Sequence, residues 1–332
     1  MKKRVLTGIN TTGTPHLGNY AGAIKPAILE SLNEENDTYL FMANLHALIK
    51  CHDPKILYQS SLEIAATWLS LGLNPEKVVF YRQSDIPEIP KLNWIFNCVC
   101  PKGLMNRAHA YKAMLEQNEG VNDPDDGVSM GLFCYPVLMA ADILMFNATH
   151  IPVGRDQIQH IEMTRDIAGR FNHRYKKLFN LPEAVISENV ELLVGTDGRK
   201  MSKSYNNTIA IFLPEKQLRK EIMKIITTSE PPEAPKNPDT SNIFAMYKAF
   251  ATAEQSQKMA EAYRAGISWA DAKVALFELL NEELREPREK YLKLLEKPQE
   301  IEEILQEGAK KARKFATPFL EKIMATVGIK SF

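Results

Sequence analysis

Cysteine is scarce in this chain of 332 residues, which contains only Cys51, Cys98, Cys100 and Cys134. Their spacing forms no CxxC pair of the kind that binds zinc, and their number is too low for the disulfide scaffold of a small secreted protein. We therefore expect reduced, mostly buried thiols that behave as small apolar side chains, and we expect no protein-bound metal.

The chain also lacks an excess of charge and any long apolar run. Its 41 basic and 41 acidic residues cancel, so no overall field attracts nucleic acid, and an RNA partner would be bound through local patches and shape. Its apolar segments are much shorter than the roughly 20 residues that cross a bilayer. No apolar stretch like that of a signal peptide follows the basic segment 1–4. These absences predict a cytoplasmic protein that is not bound to a membrane.

The first two hundred residues alternate short apolar runs with segments that carry apolar residues at helical spacing. Such alternation is typical of a parallel sheet whose strands are joined by helices. We predict an α/β fold with a Rossmann-like, doubly wound parallel sheet. The predicted strands are Val5–Thr7, Tyr39–Met42, Val78–Tyr81 and His150–Val153. The helices predicted around them are Gly18–Glu30, Lys55–Leu71, Leu92–Val99, Leu132–Phe146 and Asp156–Arg170.

Beyond residue 207 the strand pattern disappears, and amphipathic helices follow on both sides of the proline-rich segment Pro231–Pro238. Because proline breaks helices, this segment predicts a surface connection. We therefore divide the chain into an α/β domain, residues 1–207, and an α-helical domain, residues 208–332. In the first domain, the polar segment Leu115–Gly127 predicts an exposed, mobile loop. The helices predicted in the second domain are Pro214–Thr227, Asn242–Thr252, Glu254–Ala265, Trp269–Lys293 and Ile301–Val327.

A turn rich in glycine and hydroxyl groups follows the first predicted strand, from Thr7 to Tyr20. A strand, a tight turn and a helix N-terminus together direct unpaired backbone N–H groups at one point, where a phosphate binds well. His16 supplies a donor for a phosphate oxygen, and three glycines allow the close approach of a ligand: Gly8, Gly13 and Gly18. The turn matches neither a P-loop nor a dinucleotide fingerprint. On its own it also fits a glycine-rich turn with capping threonines.

Two segments resemble the signature motifs of class I aminoacyl-tRNA synthetases. Pro15–Gly18 reads Pro-His-Leu-Gly, similar to the HIGH motif, and Gly198–Ser204 contains the KMSKS motif unaltered. An isolated lysine-rich loop is more often a solvated surface, but here both motifs occur together and in the family's order. The resemblance implies an ATP-using enzyme that requires Mg²⁺ and activates an amino acid.

Two further segments, Tyr135–Leu144 and Pro152–His160, are similar to those of the tryptophanyl members of that class. On a helix, Tyr135, Met139 and Asp142 share one face because they are spaced by four and three residues. Indole has a flat apolar body and one N–H donor, which Met139 and Asp142 can match. Met139 also fits a core position and Asp142 a helix-surface carboxylate, but leaving a carboxylate unpaired in an apolar helix is costly.

The resemblance assigns roles to individual side chains. It implies that His16, Lys200 and Lys203 are catalytic and stabilise phosphate charge. The ATP-binding positions that it implies are Asn10, Thr11, Thr12, Gly18, Asn19, Gly154, Asp156, Lys200, Met201, Ser202, Lys203 and Ser204. The positions that it implies for tryptophan are Leu6, Gly8, His46, Tyr135, Met139, Asp142 and Gln157, with Asp142 accepting the indole N–H.

The resemblance also implies the partners L-tryptophan, ATP, tRNA(Trp) and a second copy of the chain. An insertion around residues 80–135 is expected to form the homodimer, with the apolar segment Trp94–Met105 as its candidate interface. Residues 208–332 are expected to bind the anticodon. The basic residues there that would contact RNA phosphates also fit solvated helix faces; they are Lys216, Arg219, Lys220, Lys224, Lys310, Lys311, Arg313 and Lys314.

Three other interpretations remain open. A tyrosyl-tRNA synthetase shares both motifs, although a phenol site would favour a Tyr/Asp pair around the ring hydroxyl. A non-catalytic paralogue would keep the fold for RNA or protein binding and would not need His16, Lys200 and Lys203. A small nucleotidyltransferase shares the turn but needs no helical tail. In addition, many family members have Gln-Pro-Ser where this chain has Asn10–Thr12, and Thr in place of His16, so the group that contacts the substrate there is undecided.

Overall fold

The computed structural model describes residues 2–186 and 193–329, and within them it contains a five-stranded parallel sheet. The strands lie in the order β3-β2-β1-β4-β5. Leu6 stands opposite Tyr39, and Val5 stands opposite His150. The predicted α/β fold with a doubly wound parallel sheet is confirmed. The strands are β1 (Lys3–Asn10), β2 (Asn36–Ala43), β3 (Val79–Arg82), β4 (His150–Pro152) and β5 (Glu183–Val185).

Helices connect the strands and dominate the described residues after 214. They are α1 (Leu17–Asn19), α2 (Lys25–Ser31), α3 (Asn44–Ala47), α4 (Pro54–Ser70), α5 (Glu88–Val99), α6 (Lys102–Met105), α7 (His109–Gln117), α8 (Met130–Met145), α9 (Ile158–Arg174), α10 (Glu215–Met223), α11 (Asn242–Phe250), α12 (Ala253–Ala265), α13 (Trp269–Leu295) and α14 (Pro298–Thr326). A π-helical turn, Tyr20–Ile24, joins α1 to α2. Every predicted helix is present, with ends displaced by a few residues. Among the described residues, no helix has the length and apolar character needed to span a bilayer.

In the part of the chain that the structure describes, β5 is the one strand that the sequence pattern does not predict; the short helices α6 and α7 are also absent from the predicted set. Strand β5 has three residues, of which Ala184 is partly buried and both neighbours are exposed. It joins the sheet by pairing with β4, where Glu183 stands opposite His150. So short an edge strand offers too few alternating positions to show a period of two.

The segment Leu115–Gly127 begins as the end of α7 and continues as an exposed loop. The side-chain amide of Asn118 donates to the carbonyls of Pro124 and Asp126, at 2.9 and 2.7 Å. The predicted exposure of the loop is confirmed beyond Gln117, and its mobility stays a prediction.

Two hydrophobic clusters form the core, and each combines residues from both parts of the chain. One includes Trp68, Phe80 and Leu276, and the other includes Phe146 and Ala312. Apolar contact therefore continues across residue 207. The division into domains 1–207 and 208–332 stays a prediction.

The long helix α14 lies against β3, at one edge of the sheet. Gly308 approaches β3 so closely that a Cβ at this position would lie 1.6 Å from the carbonyl oxygen of Phe80. The end of the strand is tied to the same helix, because Arg82 donates to both carboxylate oxygens of Glu302 at 3.1 and 2.9 Å. The helix thereby shields an edge strand that would otherwise expose unpaired backbone groups.

The four cysteines are free, as predicted, but none of them is buried. The prediction of mostly buried thiols is wrong. Cys98 is exposed because it lies on the outer face of α5, whose inner face is formed by Leu92, Ile95 and Phe96.

Candidate active site

The carboxyl ends of β1 and β4 flank the point at which the strand order of the sheet reverses. β2 and β3 lie on one side of β1, whereas β4 and β5 lie on the other. In open parallel sheets, ligands bind at such a reversal, outside the carboxyl ends of the strands. The segment Thr11–Gly18 follows β1, and Gly154–Gln157 follows β4. The topology therefore places both predicted nucleotide segments at one edge of the sheet.

His16 caps the short helix α1 through reciprocal bonds with Asn19. Its Nδ1 accepts from the Asn19 backbone N–H at 3.3 Å, and its own backbone N–H donates to Asn19 Oδ1 at 3.1 Å. Burial and, second, the charge of Lys203 lower the pKa of His16 to about 4, so its ring is neutral near pH 7. Because Nδ1 accepts, the neutral ring carries its proton on Nε2 and donates from there.

The ammonium group of Lys203 contacts the turn after β1. It donates to the carbonyl of Thr12 and lies 3.2 Å from the place where a Cβ of Gly13 would stand. Gly13 has a φ of +74°, a left-handed conformation that glycine adopts without strain. Burial lowers the pKa of Lys203, and the nearby Glu63 opposes that shift. The two predicted motifs therefore meet in one site.

Asn207 holds the loop that carries Lys203. Its side chain is buried; Oδ1 accepts from the Ser202 backbone N–H at 2.8 Å, and Nδ2 donates to Asp197 at 2.7 Å. The same Nδ2 donates to the carbonyl of Lys200 at 3.1 Å. These bonds order the backbone of the loop, from which the exposed side chain of Lys200 extends.

Further contacts join this loop to α1. The backbone N–H of Gly18 lies 3.3 Å from the sulfur of the buried Met201. The backbone N–H of Leu17 donates to the carbonyl of Ile209 at 2.9 Å. The loop at Met201 and the chain just after it at Ile209 are thus both fixed against the helix that His16 caps.

Asp142 is a buried carboxylate on α8, with 1% of its surface exposed. Its Oδ2 lies 2.8 Å from His46 Nε2, and its Oδ1 accepts from Gln83 Nε2 at 2.7 Å. Burial raises the pKa of Asp142, against the bonds from His46 and Gln83, which lower it. Each carboxylate oxygen has a second lone pair. Asp142 is therefore paired and can still accept one further N–H.

A chain of hydrogen bonds runs from Tyr135 on α8 to Asp156. The Tyr135 hydroxyl is bonded to His160 Nε2, His160 Nδ1 lies 2.8 Å from Gln157 Oε1, and Gln157 Nε2 donates to Asp156 at 3.2 Å. Because Gln157 Oε1 can only accept, His160 carries its proton on Nδ1 and accepts from the tyrosine O–H. Burial raises the pKa of Tyr135 to about 12. The neutral phenol oxygen keeps a lone pair for a cationic ligand group.

The contacts around Asp142 and the hydrogen-bonded chain that begins at Tyr135 are neighbours, and apolar residues lie beside them. The rings of His46 and Tyr135 meet edge to face, with centroids 6.4 Å apart. Leu6 is buried in one core cluster, and Met139 packs against that cluster. A Cβ on Gly8 would lie 2.5 Å from the ring of Phe41 on the neighbouring strand. The glycine therefore makes room for that ring, and its contact with a ligand stays a prediction.

Many of the predicted residues fall into two groups at this edge of the sheet. The group predicted to bind nucleotide lies in residues 10–19 and 200–204, and the group predicted to bind the amino acid contains His46, Tyr135, Asp142 and Gln157. Gly154 directly precedes the 3₁₀ turn Arg155–Gln157. Asp156 reaches the second group through its bond with Gln157. Thr11 adds a buried hydroxyl oxygen that has no hydrogen-bond partner among the described residues, which suits it to bind a ligand atom.

Three buried polar residues of the site have no role from the sequence: Gln83, His160 and Asn207. The sequence positions of two of them could have indicated a place in the site. Gln83 follows closely on a predicted strand, at the end where parallel sheets bind ligands, and His160 shares a helix face with Gln157, three residues before it. Asn207 follows a polar loop, and no pattern there distinguishes it from a surface residue.

Known proteins resemble this chain over nearly its whole length. A family model for tRNA synthetases class I (W and Y) matches residues 1–285. A tryptophan–tRNA ligase of Neisseria meningitidis is 57% identical over 99% of this chain and 98% of its own length. One of Pseudomonas aeruginosa is 58% identical over 100% of this chain and 75% of its own length. The crystal structure of tryptophanyl-tRNA synthetase from Campylobacter jejuni, complexed with ADP and tryptophan, is 46% identical, with a TM-score of 0.89 and coverage of 98% of this chain and 99% of that one.

Proposed function

The chain belongs to the class I tRNA synthetases (W and Y), and we propose that it performs tryptophan–tRNA ligation at the site between β1, α8 and the loop 200–204. It is an ATP-dependent ligase that activates L-tryptophan and transfers it to tRNA(Trp). The predicted family and enzyme class are confirmed by the family match and by relatives of that activity that match 99 and 100% of this chain at 57 and 58% identity.

One observation carries the assignment of the active site. The ammonium group of Lys203 meets the turn that contains Thr12 and Gly13, beside the neutral ring of His16. Donors from two distant segments therefore surround one point at the end of β1. A triphosphate bound there receives charge and hydrogen bonds from both sides, as phosphoryl transfer requires.

The first chemical step forms tryptophanyl-adenylate. A carboxylate oxygen of tryptophan attacks the α-phosphorus of ATP, the bond from that phosphorus to the bridging oxygen breaks, and pyrophosphate leaves with the electron pair. His16 Nε2–H donates to a phosphate oxygen, while Lys200 and Lys203 neutralise the charge on the departing pyrophosphate. These groups act by position and charge, so no covalent enzyme intermediate is required.

The second step transfers the amino acid to RNA. The terminal ribose hydroxyl of tRNA attacks the carbonyl carbon of the adenylate, loses its proton, and AMP leaves. The same bound geometry serves both steps, because the acyl carbon stays beside the α-phosphate throughout.

The second group of residues binds the amino acid. Asp142 accepts the indole N–H through a free lone pair, and Met139 packs on the ring. The Tyr135 oxygen, whose own proton is directed at His160, accepts from the substrate ammonium, and Gln157 orients its carboxylate. A site that pairs a buried acceptor with the substrate N–H rejects amino acids without that donor, by roughly 10⁴–10⁵ in comparable enzymes.

Mg²⁺ accompanies ATP in this proposal. In residues 2–186 and 193–329, no three His, Cys, Asp or Glu side chains are grouped to hold a metal ion. The described residues therefore suit an Mg²⁺ ion that is coordinated mainly by phosphate oxygens and water, as is common for Mg²⁺. They do not suit an ion that is coordinated entirely by protein side chains. When bound, the ion adds positive charge at the triphosphate.

The remaining partners follow from the same assignment. We propose that the enzyme acts as a homodimer through the insertion around residues 80–135, where Trp94 on α5 is 70% exposed; aromatic residues are enriched at interfaces. Residues 208–332 bind the tRNA anticodon region. We expect the reaction to take place in the cytoplasm, which supplies both ATP and tRNA. Sedimentation over a range of protein concentrations tests the dimer.

ATP–pyrophosphate exchange with each of the twenty amino acids tests the proposed function. Exchange with tryptophan alone supports it. Exchange with tyrosine would instead favour the tyrosyl enzyme, and exchange with none would favour a non-catalytic paralogue. Aminoacylation of tRNA(Trp) transcript then separates a ligase from a nucleotidyltransferase.

A further inference from the structure

Gln83 is a fully buried polar side chain that no step above uses. It opens the 3₁₀ turn Gln83–Asp85, directly after β3, and its exposed fraction is 0%. Both ends of its amide are engaged. Nε2 donates to Asp142 Oδ1 at 2.7 Å, and Oε1 accepts from the backbone N–H of Leu45 at 3.0 Å. A buried amide whose two ends bridge two elements fixes their relative position.

The bond to Leu45 connects Gln83 to the helix that carries His46. Helix α3 and the 3₁₀ turn are joined a second time, because Asn44 Nδ2 donates to Ser84 Oγ at 2.8 Å and Asn44 Oδ1 accepts from the Ser84 N–H at 3.1 Å. His46 and Gln83 are therefore held as one unit, and together they contact both oxygens of Asp142.

The turn is also anchored from the other side. The guanidinium group of Arg82 bonds to Asp85 within the turn, at 3.0 and 3.1 Å from Nε. Its two terminal nitrogens bond to Glu302 on α14. The backbone that presents Gln83 is thus fixed by ion pairs on both flanks.

Two donors on a carboxylate determine where its remaining lone pairs point. With Oδ1 bonded to Gln83 and Oδ2 bonded to His46, the Asp142 carboxylate is held in one plane, and each oxygen has one further acceptor direction. If the Gln83 donor were lost, the carboxylate would be free to rotate on one side. A buried carboxylate that loses a donor is also more easily protonated, and its protonated oxygen no longer accepts.

We propose that Gln83 is a positioning residue for indole recognition: it orients Asp142 so that a free lone pair faces the substrate N–H, and it thereby contributes to the selection of tryptophan over amino acids without that donor. The inference rests on the proposed function, in which Asp142 binds indole. Gln83 itself touches no substrate atom in this scheme.

The test compares tryptophan with β-(3-benzothienyl)alanine, in which sulfur replaces the indole N–H. The ratio of the two kcat/KM values in ATP–pyrophosphate exchange measures recognition of the N–H alone. We expect Gln83→Met, which keeps the length of the side chain and removes the donor, to lower this ratio by about tenfold or more, the value of a hydrogen bond to a charged group. The loss should fall on tryptophan, with the sulfur analogue changed by less than threefold.

Two further variants make the result decisive. Gln83→Leu also removes the donor but has a different side-chain shape, so it should lower the ratio even if Gln83→Met is poorly folded. Gln257→Met, on the exposed face of α12, is the matched control and should leave the ratio unchanged. If the Gln83 variants weaken both substrates equally, Gln83 supports the fold only and the inference is wrong.

Asp142→Ala separates the inference from the function on which it rests. If Asp142→Ala lowers the ratio and the Gln83 variants do not, indole recognition by Asp142 stands and the role of Gln83 fails. The other outcome is that Asp142→Ala leaves the ratio unchanged while the enzyme still exchanges with tryptophan. In that case Asp142 does not accept the indole N–H, and the positioning role of Gln83 is wrong as well.

Discussion

Replacing Lys203 by methionine should slow the activation step strongly and leave tryptophan binding unchanged. The substitution keeps the apolar stem of the side chain and removes the ammonium group that meets Thr12 and the turn at Gly13. Lys203 has no contact with the group formed by His46, Gln83 and Asp142 among the hydrogen bonds of the described residues. Its loss should therefore act on phosphate and not on indole.

The magnitude follows from charge and distance. Two unit charges about 4 Å apart interact by about 4 kcal/mol at an effective dielectric constant of about 20. Lys203 is exposed in the free protein, so water screens part of its charge and the interaction is weaker than this figure. Removing one such stabilising group typically costs about 10²–10³ in kcat. We expect a decrease in that range for Lys203→Met.

Pyrophosphate exchange at saturating ATP and tryptophan gives kcat, and isothermal titration gives the Kd of tryptophan without nucleotide. Lys322→Met, exposed on α14, controls for the loss of a lysine. Exchange within threefold of wild type would contradict this prediction, because the charge would then not act in the transition state. A parallel loss of tryptophan affinity would contradict it equally.

Three further changes have defined outcomes. Burial and, second, the charge of Lys203 lower the pKa of His16 to about 4, so between pH 6.5 and 4 the unfolded chain binds one more proton than the folded chain. The free energy of unfolding should therefore decrease by about 3 kcal/mol as the pH falls over that range. Urea titrations of His16→Gln should lack this part of the pH dependence. Gly308→Ala places a Cβ 1.6 Å from the Phe80 carbonyl oxygen and should destabilise the fold by about 1–3 kcal/mol or more. Gly169→Ala, in α9, places a Cβ with nothing within 4 Å and should stabilise the fold by about 0.5–1 kcal/mol. Thermal unfolding compares the two variants. Asn207→Ala removes the bonds to Ser202 and Asp197 and should lower exchange about tenfold at unchanged tryptophan Kd; an unchanged rate would show that these bonds do not order the loop.

Local patterns were sufficient to predict the parallel sheet, because buried strands alternate with amphipathic helices over the first two hundred residues. They failed at β5, where Glu183–Val185 is too short to show a period. They also failed for the thiols, since an apolar run such as that around Cys98 does not reveal which face of α5 turns outward. In the first case the segment is too short to carry a pattern, and in the second the missing information lies in the neighbouring elements.

The family of this protein could be identified from the sequence alone, because its two signature motifs and the segments similar to the tryptophanyl members are short and contiguous, with a spacing that is visible without a structure. Which side chains contact one another became visible only in the fold. Lys203 meets Thr12 across 191 positions, and Gln83 meets Asp142 across 59, because parallel strands bring their carboxyl ends to one edge. A hydrogen bond depends on distance in space, and distance along the chain does not encode it.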